Sequence, residues 1–386
     1  MRRITTERVP ILVWGESADE DTMRQTRNLA NLPFAFDHVA LMPDAHVGFG
    51  MPIGGVLAAH GQVIPHAVGL DIGCGMRAWR TNIPAEELRP IRDAILNDIQ
   101  RSVPQGFEWH RESQASLTDL FDRVPDVPAL LAERQKAERQ LGTLGGGNHF
   151  IELSIDSAGV VWAMIHSGSR NVGKQMADRY DHLAREENRR SGSEVPLEWG
   201  LAHLSVESEA GSEYLEVMNW CLAFARENRR LMAEAVQKAL DRRFPDIRPD
   251  AAVDVHHNYA AAEEHFGETV IVHRKGAVRA EGTVIVPGSM GTSSYLGEGL
   301  ENPDAFESCS HGAGRAMGRR EAVRTLPRER VLAELRERDV HLFKVKKHDV
   351  AEEAPEAYKD IDEVLGWEKD LVDPRIRLVP IGVVKG

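Results

Sequence analysis

Short apolar runs bounded by Gly and Pro alternate along the chain with stretches whose apolar residues recur every three or four positions. The first pattern suits strands and the second amphipathic helices, so the sequence predicts a mixed α/β or α+β chain. Strand-like runs occupy residues 39–42, 160–165, 269–273, 283–286 and 376–384. The third and fourth flank the basic segment RKGAVRAEG and read as the two arms of a long hairpin. Helical spacing links Leu88, Ile91, Ile95 and Ile99, and again Leu130, Leu131 and Leu141, with Gly142 as a C-terminal stop. The longest helix is predicted over 207–240, where Leu215, Met218, Leu222 and Ala225 share a face and Cys221 sits near it as an inert core thiol. No internal repeat at a fixed period is visible.

At 386 residues the chain exceeds the usual single-domain size, yet no Pro-, Gly- or Ser-rich run divides it, which points to one large domain, 1–386, with insertions. Apolar residues make up 42% and charged residues 28%, ordinary values for a globular enzyme rather than a disordered chain. The N-terminus has too short an apolar run for a signal peptide, and no window approaches a membrane span, so a cytoplasmic protein with no membrane partner is expected. Cys74, Cys221 and Cys309 are odd in number and never paired as Cys-x-x-Cys, which argues against a disulfide framework or zinc ribbon.

A net charge of -13 lacks the basic footprint that phosphate binding usually leaves. Charge is uneven, however: six arginines face two glutamates between His311 and Arg330, while 351–356 is acidic. Those arginines fit either a local basic groove on an acidic body or a solvated helix face.

Candidate chemistry concentrates in glycine-punctuated loops, where backbone can approach a ligand closely. Five carry His, Cys or Asp: PDAHVGFGMPIGG (43–55), GLDIGCG (69–75), GGGNHFIE (145–152), HSGSR (166–170) and HGAGR (311–315). VHHN (255–258) and PGSMGTSS (287–294) lie beside them. Asp71 and Cys74 stand three apart in a glycine-flanked turn, so both can face one ion, and a thiolate can bridge two; a tight turn with an incidental buried Cys fits equally well. Alone, each of His149, His166 and His257 reads as a structural histidine. Together with Asp71 and Cys74 they supply enough N, O and S donors for a two-metal centre of the kind that activates phosphoryl transfer. Ligand softness alone favours zinc over manganese. The P-loop and Rossmann signatures are missing, as is the Lys-x-Asp-Gly of lysine-adenylating ligases, so a covalent nucleotide here would sit on histidine. Gly145–Asn148 and Pro287–Gly291 could present N–H groups to an anion.

In their order, PDAHVGFGMPIGG, DIGCG, GNHFIE, HSGSR, HHN, HRKGA, PGSMG, SCSHGAGR, AYKDID and the closing VKG resemble the RtcB family of GTP-dependent RNA ligases, from about Pro43 to Gly386. The resemblance implies an α+β fold with a β-sheet core surrounded by helices. It implies two manganese ions on Asp71, Cys74, His149, His166 and His257, with Cys74 bridging, against the softness argument. His256 is left to packing or to support of the ligands. His311 matches the histidine that becomes guanylylated. The GTP site would draw on Asn148, His149, Phe150, Ile151 and Glu152, on His257 and Asn258, and on Pro287, Gly288, Ser289, Met290 and Ser294. Gly312, Ala313 and Gly314 beside His311 would join them, with Tyr358 and Lys385. Glu152 would accept from the guanine N1 and N2 donors, an edge adenine lacks, and Tyr358 would stack on the base. Asp44 and His46 would lie near the RNA ends, and Arg274, Lys275 and Arg315 on phosphates. Phe49 stands where some relatives carry a more polar residue.

The implied activity joins RNA 3'-phosphate or 2',3'-cyclic phosphate ends to 5'-hydroxyl ends through a histidine–GMP adduct and an RNA(3')pp(5')G end, in RNA repair or tRNA splicing. An archease-type activator is the further partner the resemblance suggests. A dinuclear phosphodiesterase acting on RNA ends could use the same five ligands, and a non-catalytic RNA-binding factor would need none of them.

Overall fold

The computed structural model describes residues 1–16, 18–344 and 350–386. It is an α+β chain built on two sheets. The six-stranded sheet runs, in spatial order, Arg2–Ile4, Ile11–Val13, Ala35–His46, Ile53–Ala59, Glu268–Lys275 and Asn258–His265. The eight-stranded sheet runs Val253–His256, Gly75–Pro84, Val160–Ser167, Phe150–Ile155, Val372–Lys385, Ser294–Gly299 and Thr283–Val286, with His341–Lys344 added in parallel to Val372–Lys385. All five expected strand segments lie within these strands.

The expected hairpin does not form. Glu268–Lys275 pairs with Asn258–His265 and Ile53–Ala59 in the first sheet, whereas Thr283–Val286 pairs with Ser294–Gly299 in the second. The segment between them turns out of the first sheet at Gly276, whose φ is +63° and whose absent Cβ would sit 2.2 Å from Ile53 Cγ2. It then makes its own short pairing, Ala277–Arg279 with Ser308–Ser310, which delivers the chain to His311.

The 33-residue helix Glu209–Asp241 packs its apolar face, including Tyr214, Val217, Cys221 and Phe224, into a cluster shared with the Arg170–Ser191 and Pro128–Gln140 helices. Leu215 and Leu222 lie at the edge of that face, and Cys221 is fully buried, as expected. Further along the same buried face come Asn228 and Arg229, both wholly inaccessible. Two adjacent polar residues on an apolar stripe need partners, since an unpaired buried amide or guanidinium is costly. Their partners are the loops at the ends of the strands Gly75–Pro84, Phe150–Ile155 and Val160–Ser167.

Candidate active site

Four chain segments bring the metal-type donors together. Asp71 and Cys74 come from the loop before strand Gly75–Pro84, His149 immediately precedes Phe150–Ile155, and His166 ends Val160–Ser167. His257 joins Val253–His256 to Asn258–His265, so it lies at the junction of the two sheets. Asp71, Cys74 and His149 form one compact triad and Cys74, His166 and His257 another, the ligating atoms of each lying within 4.8 Å of one another. Cys74 belongs to both. Its Sγ lies 3.4 Å from His149 Nε2 and 3.3 Å from His166 Nε2. His149 Nε2 is 3.0 Å from Asp71 Oδ2, and His166 Nε2 is 3.4 Å from His257 Nε2.

The supporting hydrogen bonds aim these atoms. His149 Nδ1 donates to Leu144 O at 2.9 Å and His166 Nδ1 to Asn148 O at 3.2 Å. A carbonyl only accepts, so each ring carries its proton on Nδ1 and turns the Nε2 lone pair toward Cys74. Two such lone pairs, a carboxylate and a thiol converging in a buried space form a donor set suited to cations. Burial and the neighbouring imidazoles hold His166 and His257 far below the usual histidine range, so both rings are neutral. Burial also pushes the Cys74 thiol well up. Burial opposes the Asp71 charge, yet His149 and the Arg170 guanidinium hold its carboxyl below the ordinary value. Gly168 is required here, because a Cβ would fall 2.2 Å from Asp71 Oδ2.

Asn228 and Arg229 tie the ligand loops to the long helix. Asn228 accepts from Gly142 N and Thr143 N and donates to Ser167 Oγ and Gly168 O. Arg229 donates to Gly73 O at 3.0 Å and Ser167 O at 2.9 Å, and forks onto Asp254 at 2.5 and 3.2 Å. His256 Nδ1 completes the set at 3.2 Å from Arg229 Nη2. Burial and Arg229 push its pKa down to about 4.

His311 stands next to this cluster, its ring centroid 4.9 Å from that of His257. Asp44, fully buried, accepts from both His311 Nδ1 (2.6 Å) and His311 N (3.2 Å). That fixes the tautomer with the lone pair on Nε2. Asp44 was expected near RNA ends; its contact is with the histidine. His46 lines the same cleft, its Nδ1 donating to Asp44 O at 3.1 Å.

The cleft beside His311 has a volume of about 650 Å³. Asn148, Phe150, Pro287, Gly288, Ser289, Met290, Gly312, Ala313, Gly314, Tyr358 and Lys385 line it, as do Arg315, Arg319 and Arg320 on its basic rim. Other expected nucleotide residues stand behind the wall. Ile151 is core, Ser294 Oγ accepts from Gly288 N, and Asn258 links Asp71 O to Gly276 N. Glu152 is buried beside Ser154, and burial pushes its pKa up to about 8.

Sequence reasoning overlooked Glu353, which collects Tyr358 OH (2.5 Å), Lys385 Nζ (3.1 Å) and Arg315 Nη1 (3.3 Å) at the cleft wall. It also overlooked Arg170, which starts its helix at φ +58° and lies over Gly145. Arg274 does not reach phosphate: it is fully buried, with donors spent on Glu263, Tyr259, Ser308 and Phe306 O. Lys275 is also internal, donating to Phe49 O and His66 O. Among the described residues, no helix is long and apolar enough to cross a membrane.

The sequence matches the family model described as tRNA-splicing ligase RtcB over residues 25–129 and 123–386. It is 38% identical to an RNA-splicing ligase RtcB of Escherichia coli K12, covering 99% of both chains. It is 32% identical to a tRNA-splicing ligase RtcB of Thermococcus kodakarensis, covering 95% of this chain and 91% of that one. It is 34% identical to an RNA-splicing ligase RtcB of Mycobacterium bovis, covering 94% of this chain and all of the relative.

Proposed function

This chain belongs to the RtcB family, and from that premise we propose that it is a cytosolic RNA ligase that joins 3'-phosphate or 2',3'-cyclic phosphate ends to 5'-hydroxyl ends with GTP. The observation that carries the reading is one thiol, Cys74, shared by two donor triads beside a histidine oriented by a buried carboxylate. Asp71, Cys74 and His149 would hold one manganese ion and Cys74, His166 and His257 the other. Bound there, the ions would neutralise phosphate charge and make the phosphorus more electrophilic.

The protein's own groups then account for the steps. With its proton on Nδ1 and held by Asp44, the His311 ring offers Nε2 to the α-phosphorus of GTP; the N–P bond forms as the bond to pyrophosphate breaks. Asp44 stabilises the positive charge the ring acquires. Arg319 and Arg320 offset phosphate charge at the rim, whereas Arg315 is held by Met317 O, Glu352 O, Glu353 and Tyr358. Tyr358 and Lys385 line the cleft on the side where the base would sit. Water opens a cyclic phosphate to a 3'-phosphate. The GMP passes from His311 to this 3'-phosphate, which frees the imidazole, and the 5'-hydroxyl then displaces GMP and seals the strand. An archease-type activator would act on turnover of these steps.

Joining assays test the reading: RNA with 3'-phosphate and 5'-hydroxyl ends, GTP and manganese should give a longer product whose former 3'-phosphate resists phosphatase. Shortened or dephosphorylated ends with no joined product would favour a phosphodiesterase on the same ligands.

A further inference from the structure

The loop 47–50 forms the wall between the His311 cleft and a second cleft of about 470 Å³. His46 and Val47 line the first, and Gly48, Phe49 and Gly50 line the second. The loop's backbone is firmly held. Gln25 donates to Gly48 O at 2.8 Å and accepts from Gly48 N at 3.1 Å, and Lys275 Nζ donates to Phe49 O at 2.7 Å. Its apolar side chains nonetheless face out: Phe49 is 57% exposed and Val47 47%. The Phe49 and His66 rings meet at 86° with centroids 4.6 Å apart, and His66 Nδ1 lies 2.8 Å from Asp181 Oδ1. An exposed aromatic with both backbone and ring orientation fixed has surrendered its conformational entropy in advance, the property of a binding platform rather than of a loosely exposed residue.

We infer that Phe49 is a stacking platform for a nucleobase of single-stranded RNA lying immediately beside the ligation junction, with the strand continuing into the second cleft. The inference rests on the RNA-ligase reading, which places the reacting ends at His311, a short step along the loop from Phe49. Base–aromatic stacking suits an exposed ring in a single-strand groove and tolerates any base. The second cleft supplies Arg24 for phosphate and Asn28 and Trp199 for polar and apolar contact, while Arg185 in its lining is held by Asp181 at 3.0 Å and Leu197 O at 3.4 Å. Arg24 pairs with Asp21, but both are well exposed (64% and 60%), so the pair costs little to exchange for a phosphate. Glu198, the acidic member of the lining, limits the affinity the cleft can reach. Either the 5'-hydroxyl strand or the 3'-phosphate strand supplies the same stacking chemistry, and the experiment separates them.

Fluorescence anisotropy of the full chain with two short single-stranded RNAs, one ending in a 5'-hydroxyl and one in a 3'-phosphate, each labelled at its far end, provides the test. Phe49→Ala should weaken binding of at least one probe by about tenfold, and that probe names the strand. Phe49→Trp should bind as tightly as the parent or tighter. The melting temperature and the rate of GMP attachment should not change in either variant. Equal binding of both probes to the parent and to Phe49→Ala would overturn the inference, as would Phe49→Trp binding no better than Phe49→Ala. If the parent itself takes no label from GTP, the ligase reading fails while the anisotropy result still decides whether Phe49 stacks on RNA.

Discussion

Arg229→Met isolates the clamp behind the metal-type ligands. All five guanidinium N–H groups have acceptors: two on Asp254, Gly73 O, Ser167 O and the His256 ring. Methionine fills much of the same volume and removes every one of those donors. Asp254 keeps one cation, Arg77 at 3.3 Å, while the two carbonyls lose their shared anchor. Removing one partner of a buried pair costs about 3–5 kcal/mol, and Arg77 should keep the loss near the lower end. Urea unfolding should show a drop of about 3 kcal/mol. Gly73 and Ser167 adjoin Cys74 and His166, so their release should also weaken Co(II) binding, read from the thiolate-to-cobalt absorption, by about 10- to 100-fold. Asp254→Leu added to Arg229→Met should recover part of the stability, because an apolar pair is tolerated where half an ion pair is not. It should not restore the cobalt spectrum. A loss below about 1 kcal/mol together with unchanged cobalt affinity would refute the clamp; that is the loss expected of a surface ion pair.

Other expectations follow from individual contacts. Asp44→Asn leaves His311 in place but weakens its hold on the Nδ1 proton, so the initial rate of GMP attachment should fall about 10²-fold or more; an unchanged rate would remove Asp44 from the mechanism. Deleting Lys385 and Gly386 should weaken GMP attachment and also lower the melting temperature by a few degrees. Lys385 is 3% exposed in the terminal strand and paired with Glu353, which among the described residues afterwards keeps Arg315, Arg319 and Tyr358. Burial pushes the Lys275 pKa down to about 7 from 10.5. Between those values the unfolded chain binds the extra proton, so stability should fall by up to about 1.4 kcal/mol per pH unit as pH drops from 10 to 7. Urea titrations of Lys275→Met should lack that component, and parallel curves for parent and variant would contradict it.

Asp71, Cys74, His149 and His166 were legible because they lie in glycine-punctuated loops beside strands, and local pattern locates strand ends. The pairings between loops were not. Asp44 and His311 are 267 residues apart, and nothing periodic in either segment marks the other. The hairpin failed for a related reason: Gly276 looked like an ordinary turn residue, and only the topology shows that it sends the chain from one sheet toward the other. Arg274 read as a free cation because its segment is basic; the Glu263 that neutralises it faces it across a strand pair. Glu353 was hidden inside an acidic run that resembled solvated surface. Asn228 and Arg229 did carry a signal, two polar residues on the apolar face of a long helix, and such an interruption is a direct pointer to a buried network.

The account turns on His311 as the atom donor to GMP. Incubation with α-phosphate-labelled GTP and manganese, followed by denaturing electrophoresis, should give a labelled chain that loses its label in acid and keeps it in alkali. His311→Ala should take no label, yet should still seal RNA that already carries a 3'-pp-5'G end, since that step needs no nucleophile from the protein. Label retained on His311→Ala, or no label on the parent chain, would contradict the central claim.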